Sequence, residues 1–289
     1  MGITLLTNVA ALKAQRQLAL HAADLAAVTG RLSSGLRINN ASDDPAGLAM
    51  ADVLRADQRV ANAAVRNAND GISMLSIADS ALIAISNILQ RCAELAENAA
   101  NGLQTTISRS PFQSEFVALS SEITRIARAA QFNNILLLSV TSAGRSPIVF
   151  QVGLNAAATS QISFSGVTAT LEALALADAG ENLQYSLNDC TNEAGRQAAL
   201  TTLTAVKRAI DTVSSTRGVV GAAESRLSFA VSNLQTQRDA FHTAESQIRD
   251  ADVAADAAEL IRKRILTEAA AAVLTQANQQ PSIVLKLLG

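Results

Sequence analysis

The sequence predicts a mainly α fold, long antiparallel helices in a coiled-coil-like bundle with one small β-hairpin region, on three observations. Proline (4) and glycine (14) are scarce among 289 residues, so turns are few and elements long. Alanine fills 57 positions while aromatics reach only 3 %, which suits closely packed helices and argues against a sandwich or barrel. From Leu54 to Ala99, apolar and small residues return in alternating steps of three and four, the signature of a helix buried along one seam.

The elements follow in chain order. The first segment is amphipathic, with Leu5, Val9 and Leu12, then Leu18, Leu25 and Leu32 one heptad apart. Asp43-Asp44 stands directly before Pro45; a metal or acid/base pair is one reading, a helix cap the other. The long seam runs Leu54, Asp57, Ala61, Ala64, Ala68, Gly71, Leu75, Ala78, Leu82, Ile85, Leu89, Cys92, Ala96 and Ala99. At 1.5 Å rise per residue that is a helix of roughly 70 Å. A second stripe, Ala81, Ala84, Ile88 and Leu95, gives it neighbours on two sides. Ser110-Pro111-Phe112-Gln113 reads as a helix start, with Ser110 as cap, and Phe112, Phe116, Leu119, Ile123, Ile126 and Ala130 form the stripe that follows.

Ile148 to Val152 and Gln161 to Phe164 flank a Gly-Leu-Asn turn and predict a short hairpin over 148–164. Segment 166–193, Ala/Leu-rich and then polar, receives no assignment. A third long helix covers roughly 194–241, its seam Val206, Ile210, Val213, Val220, Leu227, Val231, Leu234 and Phe241 interrupted by Arg217, Glu224 and Arg238. The last segment carries Leu260, Ile261, Ile265, Ala269, Ala272 and Leu274. Neither end has enough bulky residues for a core of its own, so each needs partners: the other end, or further copies of the chain.

Chemistry is sparse. Lys and Arg (23) nearly balance Asp and Glu (25) with no like-charge block, so nucleic acid is not an expected partner. No uncharged apolar run reaches the ~18 residues of a membrane span. Cys92 and Cys190 form neither a disulfide framework nor a zinc pattern; Cys92 falls on the seam as a small hydrophobe, and the exposure of Cys190 is open. His21 and His242 have no ligand-type neighbours at metal spacing, and no phosphate-binding glycine loop or nucleophile elbow occurs. The expectation is a non-enzyme without cofactor or metal. By ordinary targeting signals it reads as cytosolic.

The run from Arg31 to Gly47, Arg-Leu-Ser-Ser-Gly-Leu-Arg-Ile-Asn-Asn-Ala-Ser-Asp-Asp-Pro-Ala-Gly, closely resembles the amino-terminal signature of bacterial flagellins. Arg66 to Ser73 resembles their long-helix motif, Gln131-Phe132-Asn133 the segment before their hairpin, and Phe150 to Asn155 the hairpin motif. Ile248 to Asp252, Gln276 to Gln280 and Leu287-Leu288-Gly289 resemble the carboxy-terminal signature.

That resemblance implies a filament subunit without outer D2/D3 domains. It divides the chain into an N-terminal D0 helix over 1–42, a D1 domain over 43–249 and a C-terminal D0 helix over 250–289. The D0 helices would assemble through Leu5, Val9, Leu12, Leu18, Leu25, Leu32, Leu260, Ile261, Ile265 and Leu274, and Leu75, Leu82, Ile85, Leu89 and Cys92 would form the D1 core seam. It implies self-association into a helical homopolymer, and a filament cap protein, hook-associated proteins and an export chaperone as partners. It also moves the location outside the cell, through type III export without a cleaved signal peptide. Arg91, Leu95 and Glu115 match positions by which some flagellins meet a host Toll-like receptor, although Ala93 departs from that motif. A hook–filament junction protein is the nearest alternative.

Overall fold

The structure, a computed structural model, describes residues 7–139, 147–178, 180 and 182–287. Along it run helices α1 (Val9–Ser34), α2 (Pro45–Ala100) and α3 (Thr106–Ala129), then strands β1 (Gln131–Phe132), β2 (Ile135–Leu136), β3 (Ile148–Gln151) and β4 (Gln161–Phe164), then helices α4 (Asn192–Arg249) and α5 (Val253–Leu287). The mainly α expectation holds. The chain groups into two compact units, Met1–Gln58 with Asp239–Gly289, and Arg59–Arg238. These limits fall some way inside the 42 and 250 boundaries expected from the sequence.

Within the unit 59–238 the heptad seam of α2 is the spine of the core. Every seam position from Ala61 to Ala99 is buried, and Leu75, Leu82, Ile85, Leu89 and Cys92 are almost wholly removed from solvent. Phe116 and Ile123 of α3, Val206, Val213, Val220 and Leu227 of α4, and Leu171, Leu174, Leu176 and Leu187 between β4 and α4 complete one hydrophobic cluster. The unassigned 166–193 stretch therefore spends its leucines as core. The most apolar window of α2, with mean hydropathy 1.7, has the length and composition of a membrane span. Asp79 interrupts it and is ion-paired to Arg217 at 2.8 Å, and the window's seam side is the core just described.

Helix starts differ from the sequence reading in an instructive way. α2 begins at Pro45, where Asp44 Oδ1 accepts from the Gly47 amide at 2.9 Å and proline takes the first helical position, whose amide would have no partner in any case. α3 begins at Thr106, not after Ser110. Thr105 accepts from the Ser108 amide while the Ser108 hydroxyl accepts from the Thr105 amide, a reciprocal cap that outcompetes the later one. Pro111 then sits inside the helix, and the carbonyl it leaves unpaired belongs to the highly exposed Ile107, where water can satisfy it. Gln113, expected near that start, instead accepts from the Leu187 amide at 2.6 Å and pins the loop before α4.

Among the described residues two antiparallel hairpins follow α3, one more than expected. β3 and β4 pair Ile148 with Phe164 through Gln151 with Gln161, as the alternation predicted. β1 and β2 are joined by Asn133 and Asn134, both in the left-handed region (φ 47 and 62). Asparagine tolerates that conformation, and a pair of such residues makes the tight turn that matches strand twist.

Candidate functional site

The richest polar constellation lies in the unit formed by the two chain ends. α1 and α5 pack antiparallel. Near one end Asn8 Nδ2 donates to the Ala277 carbonyl at 2.7 Å, and near the other the Arg31 guanidinium meets Asp256 at 2.8 Å. Between them Lys263 Nζ lies 2.7 Å from Asp24. The Lys263 hydrogen bond and charge hold the Asp24 carboxyl below its ordinary value, and the bond from Arg31 to Asp256 raises the guanidinium.

The seam has a strict heptad spacing on both helices. On α1 the inward positions are Ala11, Ala14, Leu18, His21, Leu25, Val28 and Leu32; on α5 they are Asp256, Leu260, Lys263, Thr267, Ala270, Leu274 and Ala277. Of the ten positions named from the sequence, Leu18, Leu25, Leu32, Leu260 and Leu274 are half-buried in this seam. Val9, Leu12, Ile261 and Ile265 face away from it, each more than half exposed, together with Leu20, Val253 and Val273. Leu5 lies outside the described residues. The pair thus closes its seam with leucines, alanines and polar residues and leaves a second set of bulky aliphatic ones uncovered. His21 sits in the seam with Nδ1 buried and without a partner among the described residues; His242 is exposed.

The two terminal signature segments, more than two hundred residues apart, clasp each other. Leu36 and Asp250 form an antiparallel bridge. The Arg37 amide donates to the Arg249 carbonyl at 2.6 Å, the Ala251 amide to Gly35 at 3.0 Å, and the Arg37 guanidinium to Ile248 at 2.6 Å. Gly35 ends α1 at φ 70, a left-handed cap that suits glycine. Asn39 Nδ2 donates to the Ser34 hydroxyl and the Gly30 carbonyl, and Asp43 accepts the Asn40 and Asn39 amides, which depress its carboxyl. Gly47 is required because a Cβ there would run into the Asp44 carboxylate and Ile38, itself buried. Asp252 caps α5 by accepting from Ala254 and Ala255. Arg55 and Gln58 both donate to Glu245, at 2.6 and 3.0 Å. Asp43 and Asp44 are accordingly turn and cap groups, and no cluster of three or more His, Cys, Asp or Glu suited to a metal occurs among the described residues.

The inner motifs resolve the same way. Asn67 Nδ2 donates to the Gln151 carbonyl, and Gly71 lets Phe150 and Leu227 approach α2 to about the distance at which a Cβ would touch them. Gly153 leaves room for Ser160, whose hydroxyl meets Asn155 Oδ1, while Gln151 Nε2 reaches the Asn155 carbonyl at 2.6 Å. The long-helix and hairpin motifs are therefore two halves of one seat.

Arg91 and Glu115 are brought together on the surface at 2.9 Å, with Glu94 joining at the same distance. Leu95 is only 1 % exposed and packs in the core, so the surface they share does not include it. Cys92 is buried, its thiol pushed up to about 12 by loss of solvent, and Cys190 is exposed. Sequence reasoning missed Arg109. Its fully buried guanidinium donates to the carbonyls of Ala99, Asn192 and Asn101 at 2.7, 2.8 and 3.3 Å, tying the end of α2 to the starts of α3 and α4. A lone arginine on a predicted helix carries no sequence signal of burial; the one available hint is Gly195, where a Cβ would crowd it.

Comparison with known proteins gives a consistent picture. The model of the bacterial flagellin N-terminal helical region matches residues 5–143, and that of the C-terminal helical region matches 203–288. Flagellin of Halalkalibacterium halodurans is 36 % identical over 281 residues, covering 97 % of this chain and 98 % of that protein. Flagellin of Bacillus subtilis is 37 % identical over 303 residues with the same coverage. The flagellar filament 33 kDa core protein of Treponema phagedenis is 34 % identical over 288 residues.

Proposed function

This chain belongs to the bacterial flagellin family, and from that premise we propose that it is the structural subunit of an extracellular bacterial flagellar filament, polymerising with copies of itself into a helical propeller. The observation that carries the reading is the uncovered aliphatic side of the α1–α5 pair. A helix pair whose seam is already closed by Leu18, Leu25, Leu32, Leu260 and Leu274 still exposes Val9, Leu12, Leu20, Val253, Ile261, Ile265 and Val273. Aliphatic side chains left in water along both helices favour burial against another protein surface, and in a homopolymer the partner is the next subunit.

In this reading the α1–α5 pair forms the inner D0 layer and the α2–α3–α4 bundle with its hairpins the D1 layer. The absence of a long insertion between β4 and α4 leaves the filament without D2/D3 decoration. The work is mechanical and involves no catalysis. The β3–β4 hairpin, seated on α2 by Asn67 and Gly71, is the candidate element for switching between packing states. A filament cap protein, hook-associated proteins and an export chaperone are partners implied by the family. A host Toll-like receptor would meet the Arg91–Glu115 surface without Leu95. The names of the relatives favour the main filament subunit over a hook–filament junction protein.

Electron microscopy of the purified chain under polymerising conditions tests the proposal. Tubular filaments are expected, and their absence with both ends intact would count against it. Limited proteolysis gives a second reading: residues 1–40 and 250–289 should be cut faster in monomer than in polymer, and equal resistance would sink the claim that the ends are covered on assembly.

A further inference from the structure

The turn between α2 and α3 carries Asn101-Gly102, the one Asn-Gly pair in the chain. We propose that Asn101 is a site of spontaneous covalent modification, deamidation through a cyclic imide, which turns this turn into a chemical clock on the subunit. The proposal is independent of the assembly reading.

Four observations carry it. Gly102 has no Cβ to shield its amide nitrogen, and nothing lies within 4 Å of where one would be. Both residues are exposed, beside Leu103, one of the most solvent-accessible side chains described. The Gly102 amide lies past the end of α2 and donates no hydrogen bond among the described residues, so it is free to act as nucleophile. Finally, the Leu103 amide donates to Asn101 Oδ1 at 3.0 Å. A fixed N–H aimed at the oxygen on which negative charge develops stabilises that charge, the principle by which oxyanion holes work.

The steps balance. Solvent base removes the Gly102 amide proton, and the nitrogen attacks Asn101 Cγ to form a new N–C bond. The tetrahedral adduct expels the side-chain nitrogen as ammonia and leaves a five-membered imide. Water then opens the ring at one of its two carbonyls, giving aspartate, or isoaspartate with the main chain rerouted through the former side chain. The net change is one amide and one water to one carboxylate and one ammonium. The product places a negative charge just past the C-terminus of α2, where the helix dipole disfavours it. It also alters the residue whose carbonyl accepts from the buried Arg109. The other asparagines precede residues with a Cβ, and many lie inside helices with the following amide already bonded.

Asn98, three residues earlier and within α2, is the internal comparator. The full-length chain is aged at physiological temperature and mildly alkaline pH, and the peptide spanning both residues is followed by mass spectrometry, with enzymatic methyl labelling of isoaspartate. Asn101 should convert at least about tenfold faster than Asn98, with isoaspartate among the products, and Gly102→Ala, for which the structure has open space, should slow it by about tenfold or more. Equal rates at Asn101 and Asn98, or an unchanged rate in Gly102→Ala, would overturn the proposal.

Discussion

Arg109 shows how one residue can govern the order of a whole bundle end. Its guanidinium is fully buried, has no carboxylate partner among the described residues, and is satisfied by three main-chain carbonyls. One of these acceptors, Ala99, lies in the last turn of α2, where helix carbonyls lack their own donors and a cation is favoured. The Asn101 carbonyl, just past it, also accepts from the Gln104 amide at 3.1 Å. Arg109→Met keeps the apolar stem but removes all three hydrogen bonds and orphans the Ala99 carbonyl, and should cost about 3 kcal/mol of stability in chemical denaturation. Arg109→Lys should recover only part of that, because an ammonium cannot reach three divergent acceptors in one plane. The cysteines make a second contrast. With its thiol buried and pushed up to about 12, Cys92 should resist alkylation in the folded chain while the exposed Cys190 reacts. Labelling of both at equal rates under native conditions would show that the α2 seam opens.

At the scale of elements, charge decides what apolar burial leaves open. Asp24 is depressed by Lys263 and Asp43 by the Asn40 and Asn39 amides, both below the ordinary aspartate value of 3.8. A carboxyl whose folded pKa is lowered contributes stability that is fully present above its unfolded value and is lost as pH falls through the folded one. The α1–α5 pair and the 35–43 segment should therefore loosen only below about pH 4, read as accelerated proteolysis of the chain ends. Asp43→Asn should flatten that acid dependence. The same elements mark what was legible in the sequence. The α2 seam could be read residue by residue, because a buried face repeats with the helix and every seam residue except Asp57 is apolar or small. The α1–α5 seam was legible only in part. Its α5 side is Asp256, Lys263 and Thr267 as much as leucine, while the β-branched pair on that helix, Ile261 and Ile265, marks the outward face instead. The Asn133-Asn134 turn and the Thr105–Ser108 cap were present in the letters but were outweighed by a proline signal and a neighbouring hairpin motif.

For the whole molecule, the decisive question is the kind of contact its exposed faces make. A two-fold interface closes on itself and stops at a dimer, whereas a heterologous contact between different patches continues without limit. The filament reading needs the second kind, so Ile265→Asp should act asymmetrically. Ile265 is exposed in the single chain, and its replacement should leave monomer stability within about 0.5 kcal/mol. Alone, the variant should not polymerise, since a carboxylate cannot be buried in an apolar contact without a partner. Mixed as a minor component with the unaltered chain, it should still dock through its intact face and then present a defective one to the next subunit. Growth should therefore stop at filament ends well before the variant equals the normal subunit in number, giving shorter filaments by electron microscopy. Were the contact two-fold, the unaltered chains would stop at dimers and the variant would simply stay monomeric beside them, with no filaments to shorten. Filament length against variant fraction thus separates an open helical contact from a closed one.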